Sequence, residues 1–252
     1  MAKVKYSIVI PAYNEEKIIE KTIIFLQGYL NKMKIPFEII IANDGSTDKT
    51  EAIVEKLMRK YPNLHMSSTV TNKGRGAALT KSFKAAHGEY VIYIDADLAI
   101  DVSLFETMIH YLNHYDIAIG SKHIKGAQVE YPILRRAFSK VYAFLSYLLF
   151  NSKIWDFQCG FKGFKKDKAL QLLPYIKNQG WSWDTEMLIK AEQAGFKIKE
   201  FPAKVNNIYE RESKVNAFKD AWNMGRNLIA LYFDVLSFKK TAQRLQHGKS
   251  RV

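Results

Sequence analysis

Between Val91 and Leu98 the sequence reads Val-Ile-Tyr-Ile-Asp-Ala-Asp-Leu, four strand-favouring residues followed by two carboxylates one residue apart. Nothing polar interrupts the run before Asp95, so it is expected to be a buried strand that ends there. In an open parallel sheet the carboxyl ends of the strands form the edge at which ligands bind. Asp95 and Asp97 sit at such an end with no Lys or Arg beside them in sequence, and they would repel each other unless a cation joined them. Oxygen ligands at alternating positions suit Mg²⁺ or Mn²⁺, and Mg²⁺ held this way usually shares its shell with substrate phosphates. The plainer alternative is that both acids end a strand and cap the next turn.

Around this run, apolar strand-like segments alternate with helical patterns. Tyr6 to Ala12, Phe37 to Asn43, Leu64 to Val70, Val91 to Asp95 and Asp116 to Gly120 read as strands; Glu15 to Asn31, Asp48 to Tyr61, Gly76 to Ala86 and Val102 to His114 read as helices. That succession implies an α/β fold with a doubly wound, mostly parallel sheet, and right-handed crossovers would bring Ala12, Asp44 and Asp95 to one edge. The 252 residues, 48% hydrophobic, suffice for one large domain.

The net charge of +13 predicts an anionic partner: nucleic acid, an acidic membrane face or phosphorylated small molecules. No nucleic-acid motif or stacking platform is recognisable, so no nucleic-acid partner is expected. The single cysteine, Cys159, excludes an internal disulfide and is compatible with a reducing compartment. The start of the sequence shows no signal peptide, and its longest apolar runs, Tyr142 to Phe150 and Leu228 to Phe233, fall short of the roughly 20 residues a bilayer requires. Membrane contact is therefore expected to be peripheral.

Three further polar clusters stand at strand ends. In Pro11-Ala12-Tyr13-Asn14-Glu15-Glu16, Asn14 is placed to cap the next helix. In Asn43-Asp44-Gly45-Ser46-Thr47-Asp48, Ser46 or Thr47 can cap, which leaves Asp44 available to accept hydrogen bonds from a nucleobase edge. In Asn72-Lys73-Gly74-Arg75-Gly76-Ala77-Ala78, glycines flank a cation at a helix start, a plausible phosphate or ribose contact.

In order and approximate spacing, these clusters together with Asp95-Ala96-Asp97 resemble glycosyltransferase family 2, the inverting nucleotide-sugar enzymes with a GT-A fold. The resemblance implies that Pro11, Ala12, Tyr13 and Glu15 flank the nucleotide of a nucleotide-diphospho-sugar donor. Asp44 would meet the base with Lys73 nearby, while Asp95, Ala96 and Asp97 would hold ribose and metal-diphosphate. It also implies a single domain over residues 1–238, with a nucleotide-sugar half at 1–122 and an acceptor and membrane-facing half at 123–238.

In the second half, Pro132 to Phe150 reads as a helix with an apolar stripe of Leu134, Phe138, Val141, Tyr142, Leu145, Leu148 and Leu149 beside Arg135, Arg136 and Lys140. Such a helix either packs on the domain or lies in a membrane interface. The Gln158-Cys159-Gly160-Phe161-Lys162 run, the Trp181-x-x-Asp184-x-Glu186-x-Leu188 run, and Ser213-Lys214 ahead of a long aromatic helix resemble the subgroup that transfers sugar to polyprenyl phosphate, its dolichyl-phosphate glucosyl branch in particular. Mannosyl enzymes commonly carry Gln where Ala99 stands, and Ile208 occupies the place of one of their arginines, so Arg211 would have to substitute.

A phosphate monoester has its second pKa near ~6 and arrives largely as a dianion, so it needs cations more than a strong base. Lys122, Arg135, Arg136, Arg211 and Lys214 are the candidates for that acceptor phosphate, the arginines ahead of the lysines because their forks match phosphate oxygens. With Asp97, Asp184 joins the proposed catalytic set as sugar-positioning group or base, or else simply as an acid in a helix's first turn. Two other donors or acceptors stay open: GDP-mannose, and a soluble glycan or glycolipid. Residues 239–252, basic and without an acid, are expected to form an unstructured tail that adds attraction to an anionic surface.

Overall fold

The computed structural model describes residues 3–129, 133–205 and 217–247, with backbone alone at 133–139, 217–225 and 246–247. Its strands are β1 (Tyr6–Ala12), β2 (Phe37–Asn43), β3 (Leu64–Ser68), β4 (Tyr90–Ile94), β5 (Ile117–Ser121), β6 (Phe161–Lys165) and β7 (Ile198–Pro202). The helices are α1 (Ile19–Lys32), α2 (Thr50–Met58), α3 (Arg75–Ala85), α4 (Phe105–Leu112), α5 (Ile133–Phe150), α6 (Lys166–Leu172), α7 (Trp183–Gln193) and α8 (Ala217–His247). One seven-stranded sheet has the order β3-β2-β1-β4-β6-β5-β7. β1 pairs in parallel with both β2 and β4, β5 with β7, and β6 runs against β4 and β5.

The central strands read as continuous apolar runs because helices cover both faces. Ile8, Val9, Ile10, Ile39, Ile41, Val91, Ile92 and Tyr93 are all fully buried. β3, at the sheet margin, buries only Leu64 and Ser67, and it stops at Ser68 short of the expected Val70, whose side chain is 97% exposed. After β3 the chain crosses back to place β4 on the other side of β1, and the crevice where such an order reverses lies beyond the strands' carboxyl ends. Tyr13, Asp44 and Asp95 leave the sheet there, as right-handed crossovers require.

Both expected caps are corrected. Asn14 takes a left-handed conformation (φ 55°) and its Oδ1 accepts from the Thr47 amide at 2.8 Å, bridging two loops, while α1 begins at Ile19 without a side-chain cap. Ser46 and Thr47 do not cap α2; Asp48 Oδ1 accepts from the Thr50 amide at 2.9 Å. A polar residue with a partner on a neighbouring loop fixes two loops together, which a local cap does not.

The outer helices differ most from expectation. On α5 the anticipated stripe is not the buried face: Val141, Leu145 and Leu148 are 56%, 39% and 60% exposed, Tyr142 and Leu149 are half-buried, and Ala143, Ser146 and Phe150 turn inward instead. In α8, Leu228, Leu231, Val235, Phe238 and Ala242 turn inward at helical spacing. That stripe carries the helix through Lys239, Lys240 and Arg244 to His247, so the anticipated unstructured tail is ordered helix over those residues. Lys249 and Arg251 lie outside the described residues. Among those residues no helix is long and apolar enough to cross a membrane.

β6 supplies the aromatic centre on the sheet's second half, where Phe161 meets Phe105 edge-on at 5.1 Å and Phe201 at 6.3 Å. Phe161→Ala is expected to cost about 3–5 kcal/mol of stability, measured by urea denaturation monitored by circular dichroism.

Candidate active site

The turn after β4 is held from two sides. The Asp95 amide donates to the Gly160 carbonyl at 3.0 Å, and the Thr22 hydroxyl on α1 donates to the Ala96 carbonyl at 2.6 Å. Asp97 Oδ1 accepts from the Ala99 amide at 3.1 Å, and Leu98 adopts φ 48°, a left-handed conformation that tightens the turn. Gly160 packs directly against the Asp95 carboxylate, so a Cβ there would collide with it.

Asp95 does not lack a cationic neighbour; its cation comes from twenty residues upstream. Arg75 Nη2 reaches Asp95 Oδ1 at 2.7 Å, while Nη1 reaches Asp184 Oδ2 at 2.6 Å. The guanidinium lies between the Tyr93 and Trp181 rings, at 5.1 and 5.6 Å from their centroids. Aromatic rings at this distance attract a delocalised cation while both ends of its fork stay engaged.

Asp184 opens α7 and is 4% exposed. Its other oxygen meets Lys162 Nζ at 2.9 Å and accepts from the Tyr93 hydroxyl. Lys162, fully buried on β6, also donates to Tyr93 Oη at 2.7 Å and to the Cys159 carbonyl at 2.6 Å. Burial alone would raise the Asp184 carboxyl; Lys162 and Arg75, with the Tyr93 hydroxyl, outweigh it and hold the group below the usual carboxylate range. Burial and the same carboxylate push the Tyr93 phenol well above its ordinary value, so it remains a donor. The Cys159 thiol, pushed up to about 12 by burial, stays protonated.

Glu186, two residues on, has a different task. Its oxygens accept from the Lys177 and Asn178 amides at 2.9 and 2.7 Å, and from Lys190 Nζ at 2.6 Å. It fastens the loop ahead of α7 to that helix.

The expected nucleotide residues are gathered on one edge. Tyr13 is 39% exposed at the mouth, beside Pro11 and the buried Ala12. The Glu15 amide donates to Thr50 Oγ1 at 2.8 Å, which buttons the first loop to the second. Asp44, 4% exposed, accepts from the amides of Lys73 and Gly74, both at 2.9 Å. The amides expected to cradle a ligand phosphate at that loop are thus turned onto the chain's own acid, and Gly74 makes the turn at φ 101°, against the Gln179 carbonyl.

Of the residues expected to meet an acceptor phosphate, Lys122 lies at the end of β5 with its Nζ 3.8 Å from Asp156. Arg135 and Arg136 are on the first turn of α5, where only the backbone is described; Arg211 and Lys214 lie outside the described residues. Sequence reasoning misses the joint role of Arg75, Lys162 and Tyr93. One signal was present: Lys162 stands among Phe161, Gly163 and Phe164, and a lysine inside an apolar run needs a buried partner.

Among the described residues no three His, Cys, Asp or Glu side chains cluster as a complete metal site. Two carboxylates on one tight turn nevertheless fit a hard divalent cation that takes its remaining oxygens from a diphosphate.

Comparison with known proteins agrees with this geometry. The family model for glycosyl transferase family 2 matches residues 7–173. Glycosyltransferase AglD of Haloferax volcanii is 32% identical over 249 residues, covering 97% of this chain and 39% of that protein, so the chain spans well under half its length. Human dolichyl-phosphate beta-glucosyltransferase is 30% identical, covering 96% of this chain and 78% of its own. Among solved structures, glucosyl-3-phosphoglycerate synthase from Mycobacterium tuberculosis, in complex with Mn²⁺, UDP and phosphoglyceric acid, superposes with a TM-score of 0.67 at 21% identity, covering 91% of this chain and 78% of that one. The α/β sheet has the expected GT-A arrangement, six strands in one direction around an antiparallel β6. With the family's motifs collected on one sheet edge and its model matching residues 7–173, the chain belongs to glycosyl transferase family 2.

Proposed function

We propose that this chain transfers a hexose, with inversion, from a nucleoside diphosphate sugar to the phosphate of a polyprenyl lipid of dolichyl type. UDP-glucose is the donor best supported, and the work is done peripherally at the cytoplasmic face of a membrane. The names of the human and other dolichyl-phosphate beta-glucosyltransferase relatives support the glucosyl and lipid-phosphate parts.

The observation that carries the reading is the state of Asp184. A hydroxyl acceptor would need a base with a lone pair to spare and a pKa near neutrality. Asp184 has Lys162 and Tyr93 on one oxygen and Arg75 on the other, and is held below the ordinary range. A carboxylate so fully engaged is a poor proton acceptor but a firm anchor. An acceptor that is already an anion asks nothing more of it.

In this mechanism Asp44 and the loops at Tyr13 and Lys73 seat the nucleotide. Asp95 and Asp97 would hold Mg²⁺ or Mn²⁺, which when bound neutralises charge on the departing diphosphate. Asp184, backed by the buried Lys162 and Tyr93, keeps Arg75 in register at the crevice. A lipid phosphate oxygen, brought in by cations among Lys122, Arg135, Arg136, Arg211 and Lys214, displaces the diphosphate from the opposite face of the anomeric carbon.

Exposed Val141, Phe144, Leu148, Ile229 and Phe233 on neighbouring helices, with the net charge of +13, support contact with an anionic bilayer.

Purified protein given Mg²⁺ or Mn²⁺ and a short-chain polyprenyl phosphate should yield a hexosyl phosphoprenol with UDP-glucose and little with GDP-mannose, identified by mass. The Asp97→Ala variant should lose on the order of 10²–10³ in rate with its circular dichroism unchanged. Turnover confined to a soluble sugar acceptor would refute the lipid reading.

The same groups set the pH profile. A depressed Asp184 contributes stability above about pH 4 that is lost as pH falls through its folded value, so it does not titrate between pH 5 and 8. The rate should therefore rise through about pH 6 with the acceptor's second ionisation, and this limb should move when a phosphonate of higher pKa replaces the phosphate.

Phe144→Asp with Phe233→Asp should weaken sedimentation with vesicles containing anionic phospholipid. The melting temperature should change little, because the two rings are 58% and 66% exposed.

A further inference from the structure

In the structure the Arg75 fork spans two acids that have separate tasks in the proposed reaction. One, Asp95, is a candidate metal ligand; the other, Asp184, is an anchor already served by Lys162 and Tyr93. We infer that Arg75 is an exchangeable counter-cation: it neutralises Asp95 until a metal-bound nucleoside diphosphate arrives, then keeps Asp184 and gives its other arm to the diphosphate. The inference rests on the reading of Asp95 and Asp97 as metal ligands.

Three observations favour exchange over a fixed ion pair. First, Arg75 Nη2 sits 2.7 Å from Asp95 Oδ1, and Gly160 packs against the Asp95 carboxylate, so a divalent cation and the guanidinium compete for the same small group. Two like charges on one carboxylate repel, and the repulsion is strong where water is scarce. Second, the two arms are unequally embedded. The Asp184 side chain is 4% exposed and the Asp95 side chain 39%, so the outer arm faces the crevice and the inner one the core. Third, the two rings beside the guanidinium differ: Tyr93 is fully buried, whereas Trp181 is 66% exposed and can yield as the outer arm moves. The outer arm can therefore leave while the inner one stays on the buried Asp184.

Exchange of this kind makes metal and diphosphate depend on each other. Metal alone must displace a cation that has nowhere to go; diphosphate alone finds Arg75 already committed to Asp95. Together each provides what the other releases, which is positive coupling between two ligands and reciprocal by thermodynamic necessity.

The test is a binding cycle with Mn²⁺ and UDP, each titrated calorimetrically alone and in the presence of the other, on the wild-type protein and on Arg75→Met and Arg75→Lys. Wild-type protein should bind each ligand at least tenfold more tightly when the other is present. Arg75→Met should bind Mn²⁺ alone several-fold more tightly than wild type and lose most of the mutual enhancement; Arg75→Lys, which keeps the charge but not the fork, should fall between them. Unchanged melting temperatures, or binding of a fluorescent uridine nucleotide, would establish that the variants are folded. Equal Mn²⁺ affinity in wild type and Arg75→Met, with the enhancement intact, overturns the exchange and leaves the metal reading standing. Failure of every protein to bind Mn²⁺, with or without UDP, overturns the metal reading and the exchange with it.

Discussion

Arg75, Asp184 and Lys162 form an alternating chain of charges through the middle of the molecule, and the architecture on both sides answers to it. A lysine with no exposed surface is tolerated in β6 because a carboxylate and two further oxygens meet its ammonium group. Removing Asp184 would leave the Lys162 ammonium as an uncompensated charge inside the protein, a far larger cost than the pair contributes when intact. The network therefore fixes where α3, α7, β4 and β6 stand relative to one another. These elements come from four separate stretches of sequence, and the crevice lies where they converge.

The edge beyond β1, β2 and β4 is fixed by a different set of contacts. Asn14 ties the first loop to the second, Asp44 ties the second to the third, and Thr22 ties α1 to the turn at Ala96. Each of the four polar clusters at the strand ends is thus bonded to another such cluster or to a neighbouring helix. The loops at the ligand edge are braced by one another, so their shape exists before any ligand binds. Preorganised donors and acceptors lose less ordering entropy when a charged ligand arrives.

Much of the first half was legible from sequence because its signals are local. Runs such as Ile8-Val9-Ile10 and Val91-Ile92-Tyr93 announce buried strands, and a helical period separates them. Neither the sheet order nor β6 is local information. Phe161–Lys165 reads as a motif with glycine and lysine, and only pairing with β4 and β5 makes it a strand. The same limit explains Arg75: in sequence it is a cation between glycines awaiting a phosphate, and in three dimensions it is already engaged by acids at positions 95 and 184. Periodicity likewise shows that α5 is apolar without saying which side is covered, since residues 141–150 are apolar almost all round.

Asp234 gives α8 a part in the site that its distance would hide. Lys190 is buried at the far side of α7, paired with Glu186 on its own helix and with Asp234 across the gap to α8. Peeling α8 away would strand an ammonium in the interior with one acid instead of two. Because Glu186 also clasps the Lys177 and Asn178 amides, any pull on the last helix is relayed to the loop carrying Trp181 and to the opening turn of α7. The final helix is thus a strut: a load on α8 and the shape of the crevice are joined through one buried ammonium.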